Sequence, residues 1–167
     1  IVEDNTFEQM NTVPGSTWIG QIFRTEGGST GARGEFRRNT LRLVGGDSSG
    51  YGVTLGSAGP FEVHGNRMYA DGTQMSSWAV GIEVETGSEA INVYNNVMSV
   101  DSHTSVARFV NFLGDREMNI DNNTFVVTGA PASWTFLYKN AGTAPVNVRN
   151  NIARGFTDSG QPIYAAA

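Results

Sequence analysis

The chain has no cysteine, a single lysine (Lys139) and two histidines (His64 and His103) among 167 residues. Without cysteine there is no disulfide and no thiolate metal site. This leaves the compartment open, because secreted proteins also exist without disulfides. Eleven basic residues stand against sixteen acidic ones, for a formal charge of −5. The basic residues are scattered, so the massed positive patch of a nucleic-acid partner is missing. No apolar run approaches the roughly 18 residues of a membrane span. Charged residues are sparse at 16 %. There is no initiator Met and no signal peptide, and the chain has the look of a processed or excised segment.

What the chain has is glycine, 21 residues of it, which suits a turn-rich all-β protein and argues against a helical bundle. It also has a recurring phrase. "MNIDNNTFVV" from Met118 is matched by "INVYNNVMSV" from Ile91 and "VNVRNNIARG" from Val146. "FEVHGNRMYA" from Phe61 carries Gly65 in the first asparagine position. "EFRRNTLRLV" from Glu35 is a weaker copy, and "IVEDNTFEQM" opens the chain part-way through one. The second asparagine anchors each copy: Asn5, Asn39, Asn66, Asn96, Asn123 and Asn151. A nearly fixed spacing of some 27 to 34 residues between anchors is the signature of stacked repeats.

Within a repeat the apolar positions alternate. Val2, Phe36, Val63, Val93, Ile120 and Val148 stand three residues before their anchors, and Phe61, Ile91, Met118 and Val146 stand five before. Phe7, Leu41, Met68, Met98, Phe125 and Ala153 stand two after. The residues between are mostly polar, which predicts a strand with one buried face, a bend at the asparagine and a second strand. A further strand-like run follows about a dozen residues later, as in "GYGVTLG" and "SVARFVNFLG". The prolines (Pro14, Pro60, Pro131, Pro145 and Pro162) lie outside the best strand centres. Two or three short strands per repeat, stacked copy on copy, describe a parallel β-helix with strands about 4.8 Å apart. Asparagine tolerates left-handed backbone angles, so it suits a sharp corner between strands. One per coil at the same corner predicts a buried column of amides, each donating to one neighbour and accepting from the other.

The phrases "INVYNNVM", "MNIDNNTF" and "VNVRNNIA" resemble the coils of the right-handed parallel β-helix superfamily, the pectate-lyase-like fold. The resemblance implies an all-β, single-stranded right-handed solenoid of about six coils over residues 1–167, one domain with an internal asparagine ladder. The superfamily holds polysaccharide lyases, hydrolases, tailspikes and adhesins, so it implies an architecture and leaves the activity open. The Asn-Thr-Asp, Asp-Asp and Gly-His-Gly motifs of its polygalacturonase-like hydrolases do not occur here.

Two sets of residues carry possible chemistry. The outward position two before the anchor holds Arg37, His64, Tyr94, Asp121 and Arg149 on successive repeats. Of these, Arg37, His64 and Tyr94 are the catalytic candidates, as charge neutraliser, base and acid of a β-elimination from a uronic acid. The bland reading of the same column is a solvated polar face. Trp18, Trp78 and Trp134 lie 13, 12 and 11 residues past their anchors, with Tyr51 in the equivalent place of another coil. If exposed, these four are glycan-binding candidates that form a stacking platform; if buried, they close a corner of the coil. His64 and His103 do not form a metal pair, and neither a metal nor a cofactor is expected. "NNT" at Asn122 fits a glycosylation acceptor, with a structural role for Asn123 as the competing reading.

Neither end shows an amphipathic or charged cap, so the domain is expected to be uncapped at both ends, either as a piece of a longer solenoid or as a subunit that stacks on its neighbours. The expected function is an extracellular or surface solenoid without catalysis in this segment, a filament subunit or the shaft of a spike or adhesin on a cell or virion. The alternative is a carbohydrate-active protein, a uronate lyase or a glycan-binding module. The partners expected are further coils, or a polysaccharide, with no nucleic acid and no membrane span.

Overall fold

Each repeat folds as three short strands, and each strand pairs in parallel with its counterpart one repeat away. The computed structural model describes residues 1–10, 20–26, 33–44, 50–56, 59–71, 78–85, 87, 89–102, 106–129, 131–140, 142–155 and 160–165. The first sheet holds β1 (Val2–Glu3), β4 (Gly34–Arg37), β7 (Phe61–His64), β10 (Ile91–Tyr94), β13 (Met118–Asp121) and β16 (Val146–Arg149) in that order. The second holds β2 (Thr6–Met10), β5 (Thr40–Val44), β8 (Arg67–Asp71), β11 (Val97–Ser102), β14 (Thr124–Gly129) and β17 (Ile152–Arg154). The third holds β3 (Gly20–Glu26), β6 (Gly50–Gly56), β9 (Trp78–Val84), β12 (Val106–Phe112), β15 (Ser133–Lys139) and β18 (Gly160–Ala165). The described residues contain no helix. The result is a parallel β-solenoid with six strands in every sheet, and its inner four coils have a neighbour on both sides.

The register follows the alternation read from the sequence. Phe36 pairs with Val63, Val63 with Val93, Val93 with Ile120 and Ile120 with Val148, one apolar side chain on the next through the first sheet. Leu41, Met68, Met98, Phe125 and Ala153 form the matching column in the second sheet. These columns meet Phe109, Val110, Phe136 and Leu137 of the third sheet in one core. Phe109 and Val110 are neighbours in sequence and both fully buried, so strict alternation breaks there and resumes one residue out of phase. The weaker copy at Glu35 obeys the same frame. It has Gly34 where other copies have an apolar residue, because the Phe61 ring fills that place; a Cβ on Gly34 would stand 2.0 Å from the ring.

The asparagine ladder is present, with one departure from expectation. The anchor residue does not take the left-handed conformation. That falls to the residue before it: Asp4, Arg38, Gly65, Asn95, Asn122 and Asn150 have φ between 53° and 64°. The reason is a division of labour, since the residue that reverses the chain points outward while its successor points in. The anchors then bond coil to coil. Asn66 Nδ2 donates to Asn96 Oδ1 (2.9 Å), Asn96 Nδ2 to Asn123 Oδ1 (3.0 Å) and Asn123 Nδ2 to Asn151 Oδ1 (3.0 Å). Each Oδ1 also accepts the backbone N–H of the preceding anchor, as Asn96 Oδ1 does from Asn66 (3.0 Å). The spare amide hydrogen goes to a backbone carbonyl one coil earlier, as from Asn96 to Val63 (2.8 Å). Asn39, Asn66, Asn96 and Asn123 are buried, so each bond replaces water that has no access.

Replacing Asn96 by alanine removes the acceptor shared by the Asn66 backbone N–H and one Asn66 amide hydrogen, and leaves those two buried hydrogens unpaired while the other amide hydrogen keeps the Phe36 carbonyl. The expected loss is about 3 kcal/mol, measured by urea or thermal unfolding. The same change at Asn5, which is exposed at the first coil, is expected to cost under about 1 kcal/mol.

Candidate functional site

The outward residues of the first sheet stand in line because their inward neighbours are stacked. Glu3, Arg37, His64, Tyr94, Asp121 and Arg149 pair in register on successive strands. The three catalytic candidates, Arg37, His64 and Tyr94, therefore do come together, on β4, β7 and β10. The His64 and Tyr94 rings stack face to face, 4.4 Å between centroids and 6° from parallel.

A second outward column runs beside the first. Glu35 pairs with Glu62, Glu62 with Asn92, Asn92 with Asn119 and Asn119 with Asn147. The two columns are tied together. His64 Nε2 lies 2.7 Å from Glu35 Oε1, Arg37 donates to Glu35 (2.7 Å) and to Glu3 (2.5 Å), and the Tyr94 hydroxyl donates to Glu62 (2.9 Å). Arg38 adds bonds to Asp4 and Glu3, and Arg149 chelates Asp121. The asparagines form a second, external ladder: Asn147 Nδ2 donates to Asn119 Oδ1 (2.9 Å) and Asn119 Nδ2 to Asn92 Oδ1 (3.0 Å).

This geometry limits what the triad can do. Burial, with the hydrogen bond to Glu62, pushes the Tyr94 phenol up to about 12, so it stays protonated at neutral pH. Arg37 is held between two carboxylates, which raises its pKa and leaves its charge already spent. Three carboxylates (Glu3, Asp4 and Glu35) pair with Arg37 and Arg38. A polyanionic uronate therefore meets Arg37 and Arg38 guanidiniums that are already paired.

The aromatic set does not form one column. Trp134 pairs with Ala107, Tyr51 with Val80, and Trp78 with Val106, which are three different register positions. The turns before the third-sheet strands differ in length, so a count from the asparagine does not give the register. Tyr51 and Trp134 are both buried, and Trp134 packs against Phe125 in the core, so neither offers a surface for stacking a sugar. Trp18 lies outside the described residues, as does the side chain of Trp78. Asn122 of the glycosylation motif is exposed at its corner, while Asn123 is the buried ladder residue.

Sequence patterning missed a polar network on the third sheet. Asn111 Nδ2 donates to Glu83 Oε2 (2.8 Å), Arg108 donates to Asn111 Oδ1 (3.0 Å), and the Arg108 guanidinium lies 3.6 Å from the centre of the Tyr138 ring. Glu83, Arg108 and Asn111 are all buried although they lie on the face opposite Phe109. Burial raises the Glu83 carboxyl above its ordinary value and lowers Arg108. No signal in the sequence marks these residues, since they sit in apolar runs with no shared phrase.

No protein-family model matches the chain, and no curated protein and no solved structure matches it either.

Two pH dependences follow. Hydrogen bonding to His64 and then Arg37 holds Glu35 below its ordinary 4.5, and arginine bonds do the same for Glu3 and Asp4. A lowered carboxyl contributes stability that is full above its unfolded pKa and is lost as pH falls through the folded one. Between about pH 5 and pH 3 the unfolding midpoint of Glu35→Gln is therefore expected to fall less than that of the parent. Glu83 has the opposite sign: its contribution is present below the ordinary value and lost as pH rises through the raised one. Glu83→Gln is expected to gain stability relative to the parent from about pH 5 to pH 7 in a melting series, because glutamine cannot ionise.

Proposed function

We propose that this chain is a structural β-solenoid, a filament subunit or the shaft of a surface spike or adhesin, working outside the cell or on a cell or virion surface. The observation that carries this reading is the use made of the outward polar groups. Many polar groups of the first sheet are tied to one another, coil to coil, as arginine–carboxylate ion pairs, a ring stack and an amide ladder. Such cross-coil ties stiffen a rod. They are individually weak at the surface, and they add along a stack whose strands are already aligned.

The partner in this reading is a further coil, from a second copy or from a longer chain. Among the described residues, β1, β2 and β3 pair on one side only, and so do β16, β17 and β18. The ladder is polar: every Oδ1 accepts from the coil before it. A coil docking ahead of β1 would give its own amide N–H to Asn5 Oδ1, a head-to-tail contact that repeats without closing.

A carbohydrate-active protein is the second reading. It rests on the resemblance of the asparagine phrases to the pectate-lyase-like coils and on the buried Glu83 and Arg108 with the half-buried Tyr138. The two readings part in paired experiments. Electron microscopy of the purified chain at rising concentration is expected to show rods or fibres. Incubation with polygalacturonate or alginate is expected to give no rise in the ultraviolet absorbance of an unsaturated product. Turnover that disappears in His64→Ala or Glu83→Gln would sink the structural reading.

A further inference from the structure

We infer that Glu35, Glu62 and His64 form a binding site for a divalent transition ion of the zinc class on the outer face of the first sheet. One carboxylate oxygen from each glutamate and one imidazole nitrogen all lie within 4.8 Å of one another. The inference stands independently of the structural reading above.

The site follows from register. Glu35 and Glu62 face each other on β4 and β7, two like charges on adjacent strands. Like charges directly opposite are destabilising; Arg37 offsets part of the charge at Glu35, and a cation between the two carboxylates would relieve the pair further. His64 is two residues beyond Glu62, hence on the same face, and its ring leans back across the strand gap to Glu35. All three side chains are half-buried, so they are partly ordered and still open to solvent.

The surroundings hold these three groups from behind. The Tyr94 hydroxyl donates to Glu62, its ring stacks on the His64 imidazole, and Arg37 donates to Glu35. Outer groups that bond the carboxylates and fix the imidazole plane are the usual support of a metal site. Glu35 and Glu62 also line a surface hollow of about 280 Å³ with Ile1, Arg33, Gly34, Pro60 and Asn92, to which His64 does not contribute.

The donor set selects the ion. One imidazole nitrogen with two carboxylate oxygens suits zinc and its first-row neighbours, whereas calcium and magnesium take all-oxygen sets. Three protein ligands leave one position of a tetrahedron for water. The ion would take the place of the direct contact between His64 Nε2 and Glu35 Oε1. Donors at about 2.0–2.2 Å from zinc stand roughly 3.3 Å apart, so the 2.7 Å contact has to open by about 0.6 Å. Because Glu35 belongs to one coil and Glu62 and His64 to the next, the bound ion fastens β4 to β7.

The test is calorimetric titration of zinc chloride into the chelator-treated chain near neutral pH. One saturable, EDTA-reversible site per chain is expected. Affinity should fall at least about tenfold in His64→Ala and Glu62→Gln, fall in Tyr94→Phe, which keeps the ring and removes the donor, and hold in His103→Ala. Since the chain has two histidines, His103→Ala leaves a single imidazole. Cobalt(II) added to that variant should produce visible d–d bands and broaden the one remaining imidazole resonance, a readout that needs none of the three ligands altered. Absence of a saturable site, binding retained in both His64→Ala and Glu62→Gln, or an unbroadened imidazole would overturn the assignment.

Discussion

The corner amide is the interaction on which the rest of the solenoid depends. Where the chain bends out of the first sheet, strand-to-strand bonding is interrupted, and the N–H of each anchor would lose its carbonyl partner. The Oδ1 of the next anchor takes that place, accepting the backbone N–H of Asn39, Asn66, Asn96 and Asn123 in turn at 2.8 to 3.0 Å. The same oxygen accepts the side-chain amide of the same residue. A side chain thus stands in for main chain at the one corner that repeats in every coil. Because it is buried, a coil slipped by one residue would leave donors and acceptors without water or protein to satisfy them.

The second requirement of the corner is met by the residue before. Left-handed geometry is easiest for Gly65 and tolerable for Asn95, Asn122 and Asn150. Arg38 takes it as well, with φ of 53°, and its guanidinium is bonded to Asp4 and Glu3 of the adjacent coil. The position faces solvent, so its identity varies between copies while the inward anchor does not. One corner asks for two properties, and the sequence supplies them on two adjacent residues.

Stacking in register also decides the surface chemistry. A residue two positions before an anchor meets its counterparts from the neighbouring coils and nothing else on that column. Whatever charges the copies carry are brought to strand spacing, which makes pairs of Glu3 and Arg37, and of Asp121 and Arg149. It also places Glu35 against Glu62, with His64 leaning in. The external face is therefore a cross-coil mesh in which a cation site is one local outcome. The third sheet carries its polar group out of solvent, where Glu83 and Arg108 each shift toward neutrality.

The asparagine phrase and the alternation around it were enough, in the sequence, to establish a parallel stack, the inward columns of the first two sheets and the buried ladder, because each depends on spacing within a repeat. The alignment of Arg37, His64 and Tyr94 was legible for the same reason. The partners that define what those side chains do were less visible: Glu35 and Glu62 stand four before their anchors, and only stacking shows that they share a space with His64. The left-handed residue at the corner, the three separate registers of Tyr51, Trp78 and Trp134, and the Glu83–Asn111–Arg108 network were decided by tertiary structure. Turn length between anchor and third strand differs among coils, and register in a sheet is set by the neighbouring strand, not by distance along the chain.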